Sequence, residues 1–139
     1  YVAEHLKQDA LELSNSKRLM EYLRFELLGE TREVFAVLCL DACLRKISFK
    51  KLFYGAVNSC EISINQLLRF AISQHATAIV IAHNHPFGLP HPSPADLVLT
   101  QQIQQACQLL ELRLIDHCII SSEGNFSFAE QQLLKFEHT

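Results

Sequence analysis

The sequence predicts an α/β (α+β) fold in which a mixed β-sheet is flanked by helices. Three observations predict it. "EVFAVLCLD" (33–41) is apolar almost throughout, as a strand buried on both faces requires. "TAIVIAH" (77–83) is a shorter, β-branched apolar run, the mark of a central strand. Around these runs, apolar residues recur at the spacing of helices with one buried face.

The elements follow in order. Residues 1–13 form an N-terminal extension with only a weak helical tendency, and the domain itself is expected over 14–139. Ser14-Asn15-Ser16 can cap a helix running to about Leu28, with Leu19, Leu23 and Leu27 on one face and Gly29 as its stop. After the strand at 33–41, "DACLRK" turns the chain into "KISFKKLFYG" (46–55), an antiparallel partner. "AVNSCEIS" (56–63) reads as a further short extended piece. "INQLLRFAISQH" (64–75) is an amphipathic helix with Leu67, Leu68, Ala71 and Ile72 as its apolar stripe. "PADLVLTQQIQQACQLLEL" (94–112) is a long helix with Leu99, Ile103, Ala106, Cys107 and Leu110 on one side. "RLIDHCIIS" (113–121) is a strand, Ser122-Glu123-Gly124-Asn125 a turn, and "FSF" returns. With no internal repeat and no interior linker, 139 residues predict one domain.

Composition bounds the function. The chain is 49% hydrophobic and 19% charged, ordinary for a soluble globular protein. No run approaches the roughly 18 apolar residues of a membrane span, and no signal-peptide pattern is visible. The formal charge is -3, and no Lys/Arg cluster stands out beyond the short pairs Lys17-Arg18, Arg45-Lys46 and Lys50-Lys51. Tight DNA binding needs a basic surface, so the charge argues against it. The cysteines at 39, 43, 60, 107 and 118 are odd in number and include no C-x-x-C. Several lie inside apolar runs, which reads as buried, reduced thiols in a cytoplasmic protein rather than a disulfide framework.

"AIVIAHNHPFGLPHPSPAD" (78–96) asks for a chemical explanation. Residues two apart on a strand point the same way, so His83 and His85 can aim both imidazoles at one point. Pro86, Gly88, Pro90 and Pro92 forbid helix and favour a fixed loop, which can bring Asp96, in the first turn of the next helix, under the histidines. Two His and one Asp suit zinc and leave a fourth position open, as in catalytic sites. The bland alternative stands beside this: Ser93-x-x-Asp96 with Pro94 is also a helix-capping box. The two readings are compatible, since a cap can place a hydroxyl beside a metal.

H-x-H-x7-S-x-x-D resembles the JAMM (MPN+) zinc metalloprotease motif. The wider resemblance is to the bacterial RadC-like proteins, carried by "REVFAVLCLD", "GAVNS", "AHNHPFG", "PSPAD" and "LIDHCII". It extends from about residue 14 to about residue 130. The resemblance implies a JAB/MPN-type mixed sheet between helices, with a cytidine-deaminase-like architecture. It implies zinc held by His83, His85 and Asp96. It also implies a catalytic glutamate, which falls on Glu33 in preference to Glu30 and Glu61. Glu33 would then be the general base, and Ser93 would donate a hydrogen bond to the oxyanion. The implied reaction is hydrolysis of a peptide or isopeptide bond in a protein or peptide substrate.

Departures from the family pattern accompany these matches. The usual "HNHPSG" is "HNHPFG", so Phe87 replaces a small polar residue at the rim. "SINQ" (63–66) stands where relatives typically carry "HPRE". The helical hairpin domain that often precedes this domain in longer relatives is not part of this sequence. Asp116-His117 lies on a strand, where structural hydrogen bonding is the default and support of the zinc site from behind is the alternative. His91 is expected at the surface, and Asn84 is expected to point away from the histidines and bond backbone.

Rival functions differ in class. An HNH nuclease does not fit, because its residues are spread over a ββα-metal hairpin rather than contiguous. A zinc deaminase needs H-x-E and a downstream P-C-x-x-C, which are absent. A non-catalytic scaffold and a DNA-repair-associated module are the remaining alternatives. The complete motif favours the enzyme over the first, and the -3 charge disfavours direct DNA binding by the second.

Overall fold

The structure, a computed structural model, describes residues 11–55 and 62–134. Most of the expected extended piece at 56–63, with Cys60 and Glu61, lies outside the described residues, as does most of the N-terminal extension.

Helix α1 (Ser16–Leu27) starts on Asn15, whose side chain accepts from the Lys17 and Arg18 amides. It ends at Leu28, and Gly29 is not in the left-handed region, so the stop does not depend on glycine geometry. Strand β1 (Val34–Leu40) is buried at every position, as its continuous apolar run requires. Strand β2 (Lys46–Tyr54) pairs antiparallel with β1 and is the half-exposed edge of the sheet. Helix α2 (Ile64–Ser73) is capped by Ser63, and β3 (Ala78–His85) follows. Helix α3 (Pro94–Leu109), β4 (Arg113–Ser121) and β5 (Gly124–Ser127) complete the domain. The expected four-residue turn before β5 is tighter, because Ser121 already pairs with Gly124.

The sheet order is β2-β1-β3-β4-β5, so β3 is the central strand. It pairs antiparallel with β1 and parallel with β4, and α3 provides the crossover that a parallel pair needs. Alternation along the strands divides the core into two layers. Val34, Ala36, Leu38, Val80, Ala82, Cys118 and Ile120 pack under Leu19, Leu23 and Leu27 of α1. Phe35, Val37, Ile79, Ile81 and Ile119 pack under Leu67, Leu68 and Ala71 of α2 and Leu99, Ile103 and Cys107 of α3. Each fully buried Leu, Ile or Phe contributes about 1.5–3 kcal/mol of transfer free energy. Two expected core residues are corrected here: Ile72 is 54% exposed and Leu110 is 49% exposed. Ile72 lies at the margin of its helix's apolar stripe, and Leu110 falls at the C-cap, where α3 has already ended.

This topology brings the ends of three elements together. β3 ends where α3 begins after a short loop, and antiparallel pairing brings the start of β1 to the end of β3, with Phe35 opposite His83.

Candidate metal centre

β3 runs two residues beyond the expected strand, through both histidines to His85. His83 continues the Ile79 and Ile81 side of the sheet and so faces α3 rather than α1. His83 is buried, while His85 keeps about a fifth of its side chain in solvent. Their Nε2 atoms lie 3.1 Å apart. Asp96 Oδ2 is 3.6 Å from His83 Nε2 and 3.9 Å from His85 Nε2. One donor atom from each of His83, His85 and Asp96 falls within 4.8 Å of the other two.

Local sequence explains how each side chain arrives. Gly88 in the loop has φ +96°, where an L side chain would be strained. The loop folds back so that the Leu89 carbonyl meets His85 Nδ1 at 3.2 Å. A carbonyl only accepts, so His85 carries its proton on Nδ1 and bares Nε2. At the start of α3, Pro94 takes the first turn and Ser93 is the N-cap. Ser93 Oγ accepts from the Asp96 amide at 3.1 Å, and Asp96 Oδ2 accepts from the Ser93 amide at 2.8 Å. The capping box is therefore formed, and the same carboxylate oxygen that closes it faces both imidazoles. Burial alone would raise the Asp96 carboxyl, but the hydrogen bond and charge of His83 outweigh it, aided by Ser93. The carboxyl is held well below the ordinary carboxylate range and is ionised at neutral pH. Two imidazoles and an anionic carboxylate form a donor set that fits a divalent transition-metal cation.

The other expected residues fall as follows. Glu33 lies one residue before β1 and is partly exposed; its carbonyl accepts from the Gly55 amide at 2.9 Å. Asn84 points to the opposite face and is 3% exposed. Its Oδ1 accepts from the Val34 amide at 2.6 Å, and its Nδ2 donates to the Arg32 carbonyl at 2.9 Å. Asn84 thus clamps the backbone on both sides of Glu33. Asp116 is bound locally: it accepts from the His117 amide at 2.7 Å, the Ala129 amide at 2.9 Å and the Ser127 hydroxyl. His117 is fully buried, stacks on Phe128 and meets His83 Nδ1 at 2.9 Å. Burial, followed by the neighbouring His83, holds the His117 imidazole well below its ordinary pKa and so neutral. His91 is exposed, edge-on to Phe126. Phe87 is 87% exposed on the loop after His85. Sequence reasoning missed Thr100, whose hydroxyl meets His117 Nδ1; the available signal was its place one helical turn after Asp96.

A five-stranded mixed sheet with helices on both faces and a His-His-Asp cluster at the end of its central strand is the arrangement of a JAB-type domain. A family profile for the RadC-like JAB domain matches residues 13–133, and the chain belongs to that family. A UPF0758 protein of Acinetobacter baumannii is 63% identical over 134 residues, which is 96% of this chain and 57% of the relative. One from Acinetobacter baylyi is 62% identical over 96% of this chain and 49% of its own length. One from Psychrobacter cryohalolentis is 45% identical over 89% of this chain and 55% of its own length. The chain thus spans about half the length of the curated relatives it matches.

Proposed function

We propose that this domain is a cytoplasmic, zinc-dependent hydrolase of amide bonds in peptides or isopeptide-linked proteins. The observation that carries the proposal is the convergence of His83 Nε2, His85 Nε2 and Asp96 Oδ2 within one small volume. A zinc ion with three such ligands supplies a water whose pKa is lowered to about 7 and an electrophile for the scissile carbonyl.

The chain's own residues do the rest. Glu33 accepts the proton of the attacking water and returns it to the leaving nitrogen as the C–N bond breaks. Support for Glu33 comes from its neighbours: Phe35 is opposite His83, and Asn84 grips the peptides flanking Glu33. Alternation from Phe35, continued one residue past the start of β1, supports position 33 on the His83 face. Ser93 donates a hydrogen bond from its hydroxyl to the oxyanion; its oxygen accepts from the Asp96 amide, which leaves the O–H hydrogen available to donate. Phe87 and Leu89, 87% and 58% exposed, offer apolar surface to a substrate side chain. Of the four described cysteines all are free and three are buried, which supports a reducing compartment.

The test is cleavage of peptide and isopeptide-linked libraries by the zinc-loaded chain, read by mass spectrometry as new amine and carboxyl ends. The expected result is cleavage, reduced at least about 100-fold in Glu33→Gln with zinc retained. Full activity in Glu33→Gln would remove the assigned base. Zinc binding with no cleavage of either library would favour a scaffold. Tight, salt-sensitive DNA binding in a gel shift would favour the DNA-associated alternative.

A further inference from the structure

Behind His83 lies a buried polar chain that apolar packing does not require. Thr100 on α3 is 2% exposed and His117 on β4 is 0% exposed. His83 Nδ1 is 2.9 Å from His117 Nε2. His117 Nδ1 meets Thr100 Oγ1, and Thr100 Oγ1 lies 2.7 Å from the main-chain carbonyl oxygen of Asp96.

The direction of this chain is set from one end. A carbonyl oxygen can only accept, so Thr100 gives its single proton to Asp96. The Thr100 oxygen then accepts from His117 Nδ1–H. His117 is fully buried and its ring nitrogens meet a hydroxyl and another imidazole, so a charge on it would go unpaired. As a neutral ring protonated at Nδ1 it has a lone pair at Nε2, which accepts from His83 Nδ1–H. In the neutral form of His83 its Nε2 is then left bare, facing His85 Nε2 and Asp96 Oδ2. The opposite direction would leave the Thr100 and Asp96 oxygens 2.7 Å apart with no proton between them. It would also protonate His83 Nε2, the atom that a metal needs. Phe128, stacked at 4.4 Å and 9° on His117, holds the plane of the intermediate ring.

We propose that Thr100 and His117 are positioning residues that preset His83 in the Nδ1–H tautomer, with its Nε2 lone pair on the metal position before an ion arrives. The inference rests on the metal-centre reading above. The chain closes on itself through Asp96, whose carboxylate faces the centre while its main-chain carbonyl is the terminal acceptor. The same four residues therefore orient a ligand on β3 against a ligand on α3 by way of β4.

The test uses nitrogen-15-labelled protein stripped with chelator, in which long-range proton–nitrogen spectra assign each imidazole tautomer. Metal-free wild type is expected to show His83 protonated at Nδ1. Thr100→Val keeps the shape and removes the hydroxyl. It is expected to lose the single His83 tautomer in the metal-free state. Its zinc affinity, measured against a chromophoric chelator, is expected to fall about 10- to 100-fold. Thr100→Ser is expected to restore both. A melting curve of chelator-treated Thr100→Val separates these effects from unfolding, and the wild-type spectrum decides the matter even if the valine variant does not fold. Metal-free wild type with His83 protonated at Nε2 would overturn the proposal, as would Thr100→Val binding zinc as tightly as wild type. A wild-type chain that binds no zinc would instead remove the metal-centre reading, with the tautomer spectrum still reporting the chain's direction.

Discussion

Asp96 shows how one residue can serve fold and site together. Its Oδ2 closes the capping box on Ser93 and faces both histidines, and its carbonyl receives Thr100. Ser93 is open to a direct test of the same duality. Ser93→Ala removes the bond from the Asp96 amide and is expected to cost about 1 kcal/mol, measured by denaturation of the metal-free protein. If Ser93 also serves the oxyanion, kcat falls about 100- to 1,000-fold with zinc content unchanged. A loss of stability alone would leave Ser93 as a cap. Asn84→Leu strands the Val34 amide and the Arg32 carbonyl, and is expected to cost roughly 1–3 kcal/mol in the same measurement. The His83-x-His85 pair and Ser93-x-x-Asp96 were legible in the sequence because their geometry is local, set by strand alternation and by one helical turn. For Thr100 the spacing from Asp96 shows only a shared helix face; its role was not legible, because its partner His117 is reached only through the packing of α3 on β4.

At the scale of elements, a single irregularity decides which residue stands behind His83. Between Ile79 and Val80 the register of β3 against β4 slips, so that Ile79 pairs with Leu114 and Val80 with Asp116. Ile115 is passed over. The slip puts His117 beside Ile81 on the α3 face and turns Asp116 away. Without it, alternation from Leu114 would put Asp116 toward the site and His117 away from it. Nothing in "RLIDHCIIS" announces a bulge, which is why the sequence left Asp116 and His117 undivided. Strand and helix types were legible, since long periodic or continuously apolar runs specify them, but the C-terminal ends of α2 and α3, expected at 75 and 112 and found at Ser73 and Leu109, were not. Helix α3 also supports the site by packing. Ile103→Ala, at a fully buried position, is expected to destabilise by about 2–5 kcal/mol in urea denaturation. Phe87→Ser on the exposed loop is expected to change stability by less than about 0.5 kcal/mol while altering KM for apolar peptides. An unchanged KM would remove Phe87 from substrate contact.

For the whole molecule, the described cysteines make a prediction about alkaline pH. Burial pushes the Cys107 thiol up from 9.0 to about 11, and burial also raises Cys39 and Cys118. Below about pH 9 these thiols are protonated in both folded and unfolded chains, and their contribution to stability is fully present. Above it the unfolded chain releases protons that the folded chain retains. Stability is therefore expected to fall as pH rises from about 9 toward 11, seen as a declining urea midpoint. In the folded protein Cys43, the exposed member, is expected to alkylate before Cys39, Cys107 and Cys118. Among the described residues no helix is long and apolar enough to cross a membrane. The two-layer core instead serves to hold the ends of β3, α3 and β1 in register around three converging donors. The decisive measurement is the zinc content of the purified chain, compared between wild type and Asp96→Ala. One zinc per wild-type chain and its loss in Asp96→Ala are expected. A wild-type chain that takes up no zinc, or an Asp96→Ala variant that retains it fully, would mean that His83, His85 and Asp96 do not form a metal centre.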